Sequence, residues 1–254
     1  MKQMRLYFLK RHPVPVTAFF RHSLVLTYAL RPSVLEPLLP PGLALDTHNG
    51  FGFVAIATVQ TESLRPAFCP KWMGQDFFLS GYRIFARFKT NAGRTLRGLR
   101  ILRSHTNRRL LAFFGNCLTH YNYRLASVAL READHHLEIQ IRTPNEEADL
   151  RVTADLSDSP AAPPPGSPFG DLHEARLFAG PLPFTFDYER QTNSIVLIEG
   201  VRQFWKPQPV RVQVFQNTFF NHAPFGSERP VLANAFYVRN VPYPWKRGCL
   251  ENLN

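Results

Sequence analysis

Residues 137–142 alternate one for one, with Leu137, Ile139 and Ile141 set against Glu138, Gln140 and Arg142. The alternation returns in Leu150, Val152, Ala154 and Leu156 against Arg151, Thr153 and Asp155. A period of two belongs to a strand with one wet face; wound into a helix, the same residues would scatter their apolar side chains all round it. The pattern commits this part of the chain to sheet.

Other segments read the same way. Residues 24–30 and 51–61 are rich in β-branched and aromatic side chains. Residues 77–89 and 94–103 flank Thr90, Asn91, Ala92 and Gly93, a hairpin loop ending in glycine. A second hairpin joins 120–130 to 137–142, and strands are expected at 184–189, 194–201, 210–220 and 232–238. Helices are short. Ser33 and Glu36 have capping-box spacing, and Pro40, Pro41 and Gly42 end the turn they open. Asn107 is expected to cap a helix carrying Leu110, Leu111, Phe113 and Phe114 and ending near Gly115. Asp171 and Glu174 open a third helix, which ends at Gly180 and Pro181.

The expected fold is therefore mainly β, a β-dominated α+β domain with two or three short helices and antiparallel sheets that stack or close into a barrel. A barrel of this size can leave an interior pocket. Residues 157–170 are Pro-rich, but the flanks keep the same character, so they read as a surface loop within one domain spanning 1–254.

Charge points toward anions. Thirty Lys+Arg against nineteen Asp+Glu give a net charge of +11. Arginine dominates, and its planar fork suits carboxylates and phosphates better than a lysine point charge does. Residues 77–131 contain no Asp or Glu but carry Arg83, Arg87, Lys89, Arg94, Arg97, Arg100, Arg103, Arg108, Arg109, Arg124 and Arg131. A field of one sign concentrates anionic partners.

Several classes drop out. Apolar runs are far shorter than a membrane span, and the basic start of the chain lacks a secretory apolar core, so a cytoplasmic protein without a membrane partner is expected. Cys69, Cys117 and Cys249 have neither disulfide nor metal-ligand spacing. Phosphate-loop, dinucleotide, zinc-protease and serine-hydrolase motifs are missing, and no cofactor or metal is expected.

Five residues are candidates for the site. Arg83 and Arg100, if turned inward, would clamp an acid group. His120 and Tyr121, in a cluster with Asn122, Tyr123 and Arg124, could orient an oxygenated ligand or move a proton. Glu199 shares a strand face with Ile195, Leu197 and Val201, which places it either at an edge or buried with a cation such as Arg202, Lys206 or an arginine of the basic hairpin. Lys206 and Lys246 each follow a tryptophan, which suits cation–π packing.

The run Arg31-Pro32-Ser33-Val34-Leu35-Glu36-Pro37-Leu38-Leu39-Pro40-Pro41-Gly42-Leu43, followed by Gly52-Phe53-Val54, resembles the opening of the YqjF-like family of uncharacterised bacterial proteins. So do Tyr82-Arg83-Ile84-Phe85-Ala86-Arg87, Thr119-His120-Tyr121-Asn122-Tyr123-Arg124, Phe184-Thr185-Phe186-Asp187-Tyr188 and Val241-Pro242-Tyr243-Pro244-Trp245. That family is distantly similar to acetoacetate decarboxylase, and the resemblance implies a β-cone around a small-acid pocket. The decarboxylase's Schiff-base lysine follows a second lysine. This chain has no Lys-Lys pair, and Lys71 lies between Pro70 and Trp72. The expectation is a protein that binds a small anionic or oxo-acid metabolite, with a lyase or hydratase-like step implied by resemblance alone. Two alternatives stand beside it: a nucleic-acid-binding protein using the basic 83–109 hairpin, and a structural or interaction protein with a filled core. A homo-oligomer is left open.

Overall fold

The computed structural model describes residues 7–157, 162–202 and 205–253. In chain order its strands and helices are β1 (Val16–Leu30), α1 (Pro32–Leu35), β2 (Leu43–Leu45), β3 (Gly52–Pro66), β4 (Gln75–Lys89), β5 (Thr95–Thr106), α2 (Arg109–Leu118), β6 (Tyr123–Leu125), β7 (Ser127–Ala133), β8 (His136–Arg142), β9 (Leu150–Asp155), α3 (Leu172–Ala179), β10 (Phe184–Glu189), β11 (Ser194–Glu199), β12 (Gln208–Pro209), β13 (Arg211–Asn217), β14 (Val231–Trp245) and β15 (Cys249–Asn252). The Pro-rich segment is described only in part, since residues 158–161 lie outside the described residues.

Strands β1, β3, β4 and β14 are each 15 residues long and form the middle of the large sheet. The sheet runs β12-β14-β1-β3-β4-β5-β10-β11-β15, with β2 and β6 added at its sides. Both faces of the long strands are apolar because both are covered, and this is why their sequences run on without alternating. Leu24, Leu26, Tyr28, Val54, Ile56, Tyr82 and Ile84 point to one side. There they meet Leu137, Ile139, Ile141, Leu150, Val152 and Ala154 of the smaller sheet, ordered β13-β9-β8-β7. The alternating segments 137–142 and 150–156 thus belong to a lid sheet with one dry face. The intervening residues of the large sheet face the concave side.

The large sheet curls. Strands β14 and β15 stand at or next to its opposite edges, yet only Lys246, Arg247 and Gly248 separate them. The expected barrel is not closed. The edges meet at a single Gly200–Trp245 bridge, with Val201 N–H donating to Pro244 O at 2.9 Å and Lys246 N–H to Glu199 O at 2.9 Å. Farther along β14, its outer edge pairs with β12 at Tyr237 and Phe236. The sheet is also not wholly antiparallel, since β6 and β10 both pair with β5 in parallel.

Local expectations fared unevenly. Asp171 caps α3, accepting the Glu174 N–H at 2.7 Å. Ser33 caps nothing: α1 begins one residue earlier at Pro32, whose fixed φ suits a first helical position. Asn107 accepts the Phe78 N–H at 2.9 Å instead of capping α2, which starts after Arg108 and runs through Gly115 to Leu118. The expected strand over 120–130 is broken, since Asn122 has φ 50° and turns the chain before β6. No described helix is long and apolar enough to cross a membrane.

Candidate functional site

The concave side of the curled sheet encloses a cavity of about 440 Å³. Its walls come from the inward residues of the long strands, among them Val25, Ala57, Val59, Leu79, Leu99 and Ile101. Alanines and valines on β3 are too small to fill the curl, and the space results from that.

Arg83 enters this wall because of the strand period. Tyr82 and Ile84 face the lid sheet, so Arg83 and Phe85 face inward. The register shift between Tyr82 and Arg83 leaves Leu102 unpaired on β5 and keeps Ile101 opposite Arg83. The guanidinium folds back along β4 over Gly81, where a β-carbon would stand 3.0 Å from its Nε. That Nε is buried and has no hydrogen-bond partner among the described residues. Burial pulls the group's pKa below its ordinary value. The groups that act on it most are Tyr243, Arg202, Tyr121 and Tyr123, and among the described residues it forms no salt bridge to a carboxylate.

Arg202 is the second cation in the cavity. Its Nε and one terminal nitrogen donate to the Tyr243 hydroxyl at 3.2 and 3.0 Å. The other terminal nitrogen is buried with no partner among the described residues. Its guanidinium lies 5.4 Å from the Trp205 ring centroid. Gly200 makes room for this contact, since a β-carbon there would meet the Tyr243 hydroxyl at 2.1 Å.

Tyr121 and Tyr123 face the same cavity with ring centroids 6.1 Å apart. Their segment is held by Asn116, whose side chain donates to Tyr123 O at 2.9 Å and accepts the Tyr123 N–H at 2.8 Å. Gly115 lies under the Tyr123 ring, which explains why α2 carries a glycine without ending there. Burial raises both phenols above their ordinary pKa, so they remain protonated donors.

The structure brings Arg83 and Tyr121 together and separates the other three candidates from them. Arg100 does not line the cavity; its guanidinium donates to Asp187 at 2.6 Å. Asp187 is fully buried, its second oxygen has no partner, and burial raises its pKa to about 6 against the pull of Arg100. His120 also stands outside the lining. Its Nε2 is buried without a partner, and burial lowers its pKa to about 4. Glu199 is not buried: it ends β11 beside the seam, and its carboxylate takes the Lys246 ammonium at 2.9 Å on the surface. Of the edge and buried placements open from the sequence, the structure has the edge.

Lysines stay out of the cavity. Lys71 and Lys206 are exposed, and Lys246 is paired with Glu199. No described residue that lines the cavity is a lysine. The basic hairpin is also less free than its charge suggests. Arg87 and Arg97 both hold buried Asp46, Arg97 at 2.6 Å, while Arg103 and Arg124 reach Glu147. Sequence reading weighed Arg202 only as a partner for Glu199. Arg202 lies in irregular backbone, and nothing local marks it as inward-facing. The signals that were present are the glycines two residues before Arg83 and Arg202.

Solved structures of low identity share this fold. Acetoacetate decarboxylase from Legionella pneumophila aligns with a TM-score of 0.60 at 14% identity, over 94% of this chain and 87% of that one. An acetoacetate decarboxylase-like enzyme from Sphingomonas wittichii RW1 aligns with a TM-score of 0.56 at 15% identity, over 95% and 93%. The enduracididine biosynthesis enzyme MppR, complexed with the condensation product of pyruvate and imidazole 4-carboxaldehyde, aligns with a TM-score of 0.58 at 15% identity, over 94% and 89%. No curated protein matches the chain. The model of the uncharacterized conserved proteins DUF2071 (COG2071) matches residues 17–242, and the chain belongs to that family.

Proposed function

We propose that the cavity binds a carboxylate-bearing metabolite, with Arg83 and Arg202 holding its acid group. One observation carries this reading: two guanidiniums share a mostly apolar cavity, and neither has a carboxylate partner among the described residues. A buried cation without a counter-charge is costly, and an anionic ligand removes the cost. Arg83 and the phenols of Tyr121 and Tyr123 are all donors. Such a set favours negative charge on a substrate oxygen, the carboxylate first and then a polarised carbonyl oxygen. A 3-oxo or unsaturated acid is the substrate class that suits it, and a lyase or hydratase-like step is the reaction class. The MppR structure bound to pyruvate supports the reading by analogy. A Schiff-base route is not proposed, since the described lining offers no amine.

Thermal melts with short 2-oxo and 3-oxo acids, inorganic phosphate and a short oligonucleotide test the reading. An oxo acid is expected to raise the melting temperature by mass action, and Arg83→Ala to abolish the shift. A shift from the oligonucleotide alone, fading with salt, would replace this reading with a basic binding surface.

A further inference from the structure

We propose that the acid taken by this cavity carries an extended apolar tail, its carboxylate at Arg83 and its tail running toward α2. The inference rests on the anion reading of the cavity and names the ligand class for that same site. Two guanidiniums and three phenols gather at one end, while Arg65 and Arg108, which also line the cavity, donate to backbone carbonyls of Cys69, Ser63 and Asp76. At that end Arg83, Arg202, Tyr121, Tyr123 and Tyr243 act on one another. Behind Arg83 the way is closed by Phe85 packed on Phe53, ring centroids 6.0 Å apart.

In the other direction the register gives the corridor. Gly81 stands opposite Ala57, Leu79 opposite Val59 and Phe77 opposite Thr61. From Gly81, under the guanidinium, to Phe77 is four residues of strand, roughly 13 Å at ~3.3 Å per residue. The walls along it are Ala57, Val59, Leu79 and Phe77, which offer a ligand no charge.

The corridor opens where its lining becomes exposed, at Gln75, Arg108, Leu110 and Phe114. Leu110 and Phe114 on α2 are 64% and 55% exposed at this mouth. Exposed apolar side chains rimming an apolar passage suit a hydrocarbon or aryl tail passing over them. At about 440 Å³ the cavity lies within the range of sites that enclose drug-sized ligands. An acid of three or four carbons would occupy only the cationic end.

Calorimetry with butanoate, hexanoate, octanoate and decanoate, each below its micellar concentration, tests this. The dissociation constant is expected to fall about threefold to fourfold per added methylene until the corridor is full. Leu79→Trp, which narrows the corridor, is expected to spare butanoate and weaken octanoate at least about tenfold, the worth of two methylenes. Phe114→Ser changes an exposed residue and should weaken octanoate and decanoate while leaving butanoate unchanged. Equal affinity along the series, lost throughout in Arg83→Ala, would leave the anion site standing and overturn the tail. Octanol binding as tightly as octanoate would overturn the orientation. Binding of no acid at all would remove both readings.

Discussion

The guanidinium of Arg83 lies folded over Gly81, two residues earlier on the same strand, and a β-carbon at Gly81 would stand 3.0 Å from its Nε and press it aside. The pair shows how the cavity acquires a cation. Strand alternation turns residue 83 inward, and the missing β-carbon at 81 lets the long side chain lie along the wall. Gly200 and Tyr243 repeat the arrangement on the other side, where the hydroxyl that receives Arg202 fills the space a β-carbon would take.

Gly81→Ala is therefore expected to separate stability from binding. Alanine suits a strand interior better than glycine by about 0.5–1 kcal/mol, and the atoms it meets are the far end of a flexible side chain. Chemical denaturation should show a fold as stable as the parent or slightly more so, while carboxylate affinity drops at least about tenfold, near the energy of one hydrogen bond to a charged group. Loss of stability with unchanged affinity would contradict the placement of Arg83.

Arg83→Met should stabilise the ligand-free protein. Methionine keeps the length of the stem and removes a buried charge that has no carboxylate partner. A gain of about 1 kcal/mol is expected, the usual scale of trade-offs between stability and function. Urea titration without ligand measures it, and a loss of stability would show that some protein group already compensates the charge.

Asp46 carries a different load. It is fully buried between Arg87 and Arg97, which face each other across β4 and β5. Asp46→Ala leaves two arginines without their shared acceptor, though each can still reach water, and is expected to cost about 1–3 kcal/mol. The cavity cations are elsewhere, so carboxylate affinity should hold. A denaturation midpoint unchanged from the parent would refute the assignment.

Acid sensitivity arises from buried histidines. Burial lowers the pKa of His12, and that of His120, from 6.5 to about 4. The unfolded chain takes up these protons first, so stability present above about 6.5 is lost as pH falls toward about 4. Asp187 works in the opposite sense. Its folded pKa of about 6 lies above its ordinary 3.8, so it holds a proton in the folded state first and favours the fold on acidification. His12→Asn should flatten the acid loss measured by melting across this window, and Asp187→Asn should steepen it. Unchanged slopes in both would contradict these burials.

Strand content and the basic hairpin were legible from the sequence; that Arg83 shares a face with Phe85 was legible too, but not which face lines the cavity, because both faces carry apolar residues. Residues 137–142 and 150–156 announced a lid sheet because only one of its faces is dry. The long strands announced less: with both faces covered, Leu24 and Val25 look alike in sequence although one packs on the lid sheet and the other on the cavity. Arg202 was read only as a partner for Glu199, because its position depends on residues 199–201 crossing to Pro244 and Trp245 at the seam, a contact between segments far apart in the chain. The choice between edge and interior for Glu199 stayed open for the same reason. Its strand ends at the seam, where the neighbours that would bury it are replaced by Lys246 and water. Asn107 had the spacing of a helix cap, but Phe78 supplied a competing donor that only the folded β4–β5 pair brings near.

A crystal structure with a terminally brominated octanoate would test the central claim most directly. Bromine scatters anomalously, so head and tail are located independently. The account predicts the carboxylate within hydrogen-bond distance of Arg83 Nε and near Arg202, with bromine between Phe77 and Phe114. A carboxylate bound at the α2 mouth, or outside the cavity with both guanidiniums unliganded, would contradict it.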